Sequence, residues 1–165
     1  MAKPLTFLCV GSATQDVFLS QSPELDPVCE NPEDCFFNIP LGGKVNVNKI
    51  DFSIGGGATN AATTFARVGE NAIFMGQIAD DPAGAAVLDA LDKENIDSSY
   101  ASYSKRYHTG YSVLLLASTG ERTILTYRGA STHFKLENFD LDKIERKVDW
   151  LYLSTLNGHF DLLDQ

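Results

Sequence analysis

Apolar and polar positions along the chain fall into blocks with different periods. Leu5 to Val10 (LTFLCV) is a continuous apolar run closed by Gly11-Ser12, the pattern of a strand buried on both faces of a sheet. Ala72 to Ile78 (AIFMGQI) and Trp150 to Leu153 repeat it and are predicted as two further buried strands. Helical spacing appears at Ala62, Phe65 and Ala66 within Ala58 to Val68 and at Gly69 directly after it, at Ala86, Leu88 and Leu91 in a segment running through Asn95, and at Leu141, Ile144 and Val148 within Asp140 to Val148. Each block predicts a helix. The second has a defined start, with Asp81 as N-cap and Pro82 at the first helical position, an order that satisfies a free amide and presets φ.

Other stretches have the period of a strand. Tyr107 to Ala117 and Arg122 to Tyr127 are strand-rich and joined by Ser118-Thr119-Gly120-Glu121, a hairpin turn. Lys44 to Ile54 (KVNVNKIDFSI) alternates in two halves, Val45 and Val47 on one parity and Ile50, Phe52 and Ile54 on the other. The switch at Asn48-Lys49 predicts a bulge or bend in a half-exposed antiparallel ribbon. Ser20 to Gly43 holds Pro23, Pro27, Pro32 and Pro40 with short apolar islands and is predicted as a long lid-like insert.

Strands alternating with helices give an α/β fold, a mainly parallel sheet flanked by helices, here with a small antiparallel β lid over about residues 20–54. Ligands of such sheets collect beyond the carboxyl ends of the strands. That rule selects the Gly11 to Asp16 turn, the glycine run after Ile54 and the segment after Leu153.

Composition narrows the function classes. The chain has 165 residues, 44% of them hydrophobic, with 13 basic against 22 acidic side chains and a net charge of −9. An ordinary core fits this composition. The acidic balance argues against passive electrostatic binding of nucleic acid, which calls for a basic face. No run approaches the ~20 apolar residues of a membrane helix, and the N-terminus lacks the long apolar region of a signal peptide, so no membrane association and a cytoplasmic location are expected. Cys9 reads as a buried small hydrophobe. Cys29 and Cys35 fit either a disulfide or two legs of a metal site, but no second Cys or His pair completes a zinc set; free thiols are the expectation. His108, His133 and His159 have no metal-like spacing, and Asp80-Asp81 is explained by a helix cap and its neighbour, so no metal site is expected.

Two features carry candidate chemistry. Gly55-x-Gly57-x-x-Asn60 resembles a dinucleotide fingerprint until its third position, which is Asn rather than Gly or Ala. No Gly-Lys-Ser/Thr follows, which excludes a P-loop. There remains a loop whose backbone can come close to a ligand, with the Asn60 amide in the first helical turn. Asp16 lies five residues past the first glycine-terminated strand, where a carboxylate accepts hydrogen bonds from neighbouring hydroxyls. Acceptors and donors for several hydroxyls suit a sugar.

Gly55-Gly56-Gly57-Ala58-Thr59-Asn60-Ala61-Ala62, continuing to Ala66-Arg67-Val68-Gly69, stands in order with Val10-Gly11-Ser12 through Asp16, Met75-Gly76-Gln77-Ile78-Ala79-Asp80-Asp81 with Gly84, Thr109-Gly110, Gly120-Glu121-Arg122-Thr123 and Gly129-Ala130-Ser131. From Phe7 to about Leu156 the chain thereby resembles the N-terminal half of the ribokinase-like (PfkB-type) carbohydrate kinases. The resemblance implies that residues 1–165 are the N-terminal part of a single ribokinase-like domain. It implies that Asp16, Gly56 and Asn60 hold the hydroxyls of a sugar or nucleoside acceptor, with Gly55 and Gly57 allowing close backbone approach. Thr14 stands where ribose-specific members carry Asn, which argues against ribose itself. A lid sheet of this kind pairs subunits in several members, so a homodimer is implied. ATP and Mg2+ are implied as cofactors, with most of their binding residues in a C-terminal half that this sequence lacks. The Gly-Ala-Gly-Asp segment bearing the catalytic Asp does not occur here, so no catalytic residue is assigned and the chain alone is expected not to turn over ATP. The alternative reading is a noncatalytic sugar-binding or dimerisation module derived from such a kinase.

Overall fold

The apolar run at the start of the chain forms β1 (Thr6–Val10), with Leu8, Cys9 and Val10 buried. The computed structural model describes residues 3–31, 33–133, 135, 137, 139, 144 and 148–154. They divide into two compact units, one built from those up to Gln15, from Ile54 to Tyr111 and from Tyr127 on, and the other from those between Asp16 and Ser53 and between Ser112 and Thr126.

In the first unit β1 is the centre of a three-stranded parallel sheet, flanked by β6 (Asn71–Met75) and β11 (Trp150–Leu153). Alternation along β1 sends its side chains to two different cores. Cys9 joins Ala58, Ala62, Phe74, Val87 and Leu91, whereas Leu8 and Val10 join Ile73, Met75 and Ile144. Helix α1 (Gly57–Arg67) buries Ala58, Thr59 and Ala62, small residues that admit a close approach to the sheet. Its end is a Schellman closure, in which the Gly69 amide donates to the Ala66 carbonyl at 3.0 Å and the Glu70 amide to Phe65 at 3.1 Å, with Gly69 at φ +93°. Helix α2 (Pro82–Lys93) starts on Asp81 as its sequence predicts.

Three parts of this unit differ from the sequence expectation. The single strand expected over Ala72 to Ile78 is two, because Gly76 breaks it: β6 ends at Met75, and β7 (Gln77–Ala79) pairs in parallel with β8 (Ser102–Ser104), which had no recognisable pattern. Only Gly fits there, since a Cβ on residue 76 would lie 2.5 Å from the Gly11 carbonyl oxygen. The expected burial of Trp150 to Leu153 is also corrected. All four residues are exposed, Trp150 at 60%, because β11 stands at the end of the sheet order with β1 as its one neighbour among the described residues. The helix expected over Asp140 to Val148 falls largely outside the described residues.

The second unit is organised by a four-stranded sheet in the order β10-β9-β2-β5, comprising β2 (Thr14–Ser20), β5 (Lys49–Gly55), β9 (Gly110–Leu116) and β10 (Arg122–Tyr127). Val17, Leu25, Leu114 and Ala117 are its buried apolar residues. Strand β2 was not expected. The expected turn over Gly11 to Asp16 covers its first three residues, which are polar, and the apolar residues that follow, Val17, Phe18 and Leu19, are consecutive and show no period of two. The ribbon expected from Lys44 is a strand only from Lys49 onward; the Asn48 amide instead donates to the Gln21 carbonyl at 3.3 Å, so the parity switch marks where the strand begins. The insert carries a 3-10 turn (Pro23–Leu25) and a two-stranded antiparallel ribbon, β3 (Val28–Asn31) with β4 (Asp34–Phe36). Cys29 and Cys35 face each other across that ribbon with Cα atoms 4.1 Å apart and form a disulfide. The expectation of free thiols is overturned at these two positions: spacing alone could not show that the chain reverses between them, and a directly opposed antiparallel pair places two Cβ atoms within bonding reach of their sulfurs. Cys9 is free and buried. No helix among the described residues is long and apolar enough to cross a membrane.

Candidate acceptor site

The glycine run after Ile54 is distributed over three structural roles. Gly55 ends β5, Gly56 is the N-cap of α1 and Gly57 is its first residue. Gly56 has φ +105° and ψ +149° and, lacking a side chain, supplies no cap of its own. A Cβ there would lie 2.4 Å from the Ser12 carbonyl oxygen and 2.7 Å from the Ala13 Cα, so both conformation and space demand Gly.

The missing cap comes from another loop. Ser12, buried in the turn after β1, accepts from the Gly57 amide on its hydroxyl at 3.0 Å and from the Ala58 amide on its carbonyl at 3.2 Å. Thr59 Oγ1 turns back to donate to the Gly55 carbonyl at 2.6 Å. A helix N-terminus binds anions through its unsatisfied amides, and here the first two are already engaged by Ser12. The loop is therefore organised as a closed backbone surface rather than as a phosphate cradle, in agreement with the absence of a P-loop sequence. Asn60 is exposed in the first turn, and its backbone amide donates to Gly56 at 3.0 Å.

A third loop closes on the same turn. In the 3-10 turn Gly129–Thr132, the buried Ser131 hydroxyl donates to the Ala13 carbonyl at 3.2 Å and accepts from the Ala13 amide at 3.4 Å. The Ala130 amide donates to the His108 carbonyl at 2.8 Å. Gln77, with its amide turned so that nitrogen faces acceptors, donates to the Ala130 carbonyl at 3.0 Å and the His133 carbonyl at 3.3 Å. Thr14 sits beside Gly110, where a Cβ would lie 2.7 Å from Thr14 Cγ2 and 2.8 Å from the Ala13 carbonyl oxygen. Gly56 and Gly57 thus meet the Ser12–Ala13 turn that leads into Thr14, while Gly55 and Asn60 bond within their own loop and helix, Gly55 to Thr59 and Asn60 to Gly56. Asp16 is two residues past Thr14 on β2, the first residue of the second unit, and lies within a strand rather than in the turn the sequence suggested.

Asp81 anchors the neighbouring β7–α2 corner. It accepts from the Gly84 amide at 2.8 Å and from the Thr109 amide at 2.9 Å, and His108 Nδ1 stands 3.2 Å away. Burial by itself would raise its pKa; the hydrogen bonds from Gly84, Thr109 and His108 outweigh that effect and hold the carboxyl below its ordinary range. Its carboxylate is consumed by the fold. Among the described residues no group of three His, Cys, Asp or Glu is arranged to hold a metal ion.

Ser12, Ser131 and Gln77 were not assigned a role from the sequence. Each lies in a segment that contributed to the family resemblance, and that was the available signal; a small buried polar side chain has no periodicity to mark it.

The comparisons agree with this architecture. The chain is 30% identical over 148 residues to a 5-dehydro-2-deoxygluconokinase of Mesomycoplasma hyopneumoniae, covering 88% of this chain and 38% of that protein. It is 31% identical over 102 residues to a fructokinase of Escherichia coli, covering 62% and 33%. The fold is that of a ribokinase of Arabidopsis thaliana solved with ribose and ATP, at a TM-score of 0.68 and 24% identity over 93% of this chain and 45% of that one. The chain therefore spans less than half the length of each of these relatives. The description "pfkB family carbohydrate kinase" matches residues 29–163, more than half of the sequence, and the chain belongs to the PfkB family of carbohydrate kinases.

Proposed function

We propose that this chain is the acceptor-binding part of a sugar kinase that transfers the γ-phosphoryl group of ATP to a sugar hydroxyl. The observation that carries this reading is the Ser12 closure of the glycine loop. With the Gly57 and Ala58 amides occupied, the loop offers a close, neutral backbone surface flanked by the Asn60 amide, which suits hydroxyl groups better than an anion. In this reading Thr14, Asp16 and Asn60 exchange hydrogen bonds with the hydroxyls, and Gly55, Gly56 and Gly57 let the backbone approach the ring. Orientation of the acceptor is this part's contribution, since phosphoryl transfer depends on positioning and charge stabilisation. The nucleotide, Mg2+ and the catalytic base belong to the portion of the relatives that this chain does not span. The apolar side chains Ile50 and Phe52 on β5 and Ile124 and Leu125 on β10 are exposed, Phe52 at 62%, which supports a lid sheet that pairs with a second subunit.

The test is ATP-dependent phosphorylation by a chain extended past Gln165 through the family's second half, assayed on fructose, ribose and 5-dehydro-2-deoxygluconate. At least one should be phosphorylated, while the 165-residue chain should turn over none. Inactivity of the extended chain on every acceptor, with its fold intact, would overturn the reading.

A further inference from the structure

The β3–β4 ribbon is short, exposed and cross-linked. β3 has four residues and β4 three, all seven are exposed, and the register shifts between Cys29 and Asn31. The apolar pair Val28 and Phe36 leaves 47% and 48% of its surface in water. An isolated two-stranded ribbon is marginal in water even with a better register, so the covalent bond between Cys29 and Cys35 is the strongest constraint on it. The ribbon also forms one wall of a cavity of about 300 Å³, with Cys35, Phe36 and Phe37 on one side and Glu121, Arg122 and Thr123 of the β9–β10 hairpin on the other. The third cysteine offers a contrast: Cys9 is fully buried in the sheet, and burial pushes its thiol up to about 11.

We propose that Cys29–Cys35 is a thiol–disulfide exchange site whose redox state sets the order of the insert ribbon and of the cavity wall it forms. The co-reactant is a dithiol. One of its thiolates attacks a cysteine sulfur, the Cys29–Cys35 bond breaks, and the departing sulfur leaves as a thiolate that takes up a proton. The second thiol of the reductant resolves the mixed disulfide, leaving two protein thiols and one oxidised dithiol, a transfer of two electrons. Exposure of both strands gives the attacking thiolate access. This inference is independent of whether the chain binds a sugar.

The experiment uses the 165-residue chain with dithiothreitol as the dithiol, reading alkylation by mass spectrometry and backbone hydrogen exchange. Without reductant, Cys29 and Cys35 should take up no alkylating reagent even after unfolding. With reductant under native conditions both should be labelled while Cys9 is not. Amides of the ribbon should then exchange about tenfold faster or more, in line with loss of a short cross-linked loop, and the amides of β1 and β6 should not change. A Cys29→Ser/Cys35→Ser double variant should exchange as fast as the reduced chain with or without dithiothreitol. The proposal is overturned if the two cysteines are labelled without reductant, if ribbon protection is the same in oxidised and reduced chains, or if reduction loosens β1 and β6 equally.

Discussion

The Ser12 hydroxyl accepts the Gly57 amide at 3.0 Å across 45 residues of sequence, so the N-terminus of α1 is capped by the turn after β1 and not by its own N-cap residue. That bond fixes the glycine loop against β1 and converts a potential anion site into a closed surface.

Replacing Ser12 by Ala leaves the part-buried Gly57 amide without its acceptor. Stability should fall by about 1–3 kcal/mol, the cost of orphaning such a donor, measured as the shift in a urea unfolding curve. Exchange of the Gly57 amide should quicken at the same time. A stability within error of the parent would mean that water or a rearranged loop replaces the bond.

Gly56 and Gly69 both have positive φ, yet only Gly56 is crowded. Gly69 has nothing within 4 Å of a built Cβ, so Gly69→Ala carries the backbone cost alone, about 1–2 kcal/mol. Gly56→Ala adds overlap with the Ser12 carbonyl and the Ala13 Cα, and strain and overpacking together should exceed about 3 kcal/mol. Equal losses for the two variants would contradict the packing described around Gly56.

Asp81 should give the fold an acid limb. Its carboxyl is held below the ordinary carboxylate range in the folded chain, so its stabilisation is fully present above the unfolded value and is lost as pH falls through the lower folded value. Denaturant midpoints followed from neutral pH down to about pH 3 should therefore drop more steeply in the parent than in Asp81→Asn, whose neutral amide has nothing to titrate. The variant should also be less stable at neutral pH, by about 0.5–2 kcal/mol for the lost charged cap. Parallel pH profiles would remove Asp81 as the source of the limb.

If Asp16 grips acceptor hydroxyls, Asp16→Ala in the extended protein should weaken acceptor binding by about 1.5–3 kcal/mol, the range for hydrogen bonds to a charged group, with ATP affinity unchanged. Titration calorimetry separates the two ligands. Undiminished acceptor affinity would take Asp16 out of the site.

Local pattern in the sequence determined a good deal of this chain: the buried run of β1, the Asp81 cap and Pro82 start of α2, the helix leaving the glycine loop and the β9–β10 hairpin. These were legible because burial imposes a period on neighbouring residues, and because caps and turns depend on a few adjacent side chains. Only the tertiary structure decided how the loops meet. Ser12 with Gly57, Ser131 with Ala13, and Gln77 with Ala130 join residues 45, 118 and 53 positions apart, and no period links a small polar side chain to an amide that far along the chain. The break at Gly76, the disulfide across the insert and the exposure of Trp150 to Leu153 have the same origin. Each depends on which segment lies alongside another once the sheets have formed, a relation set by three-dimensional contact and invisible to spacing.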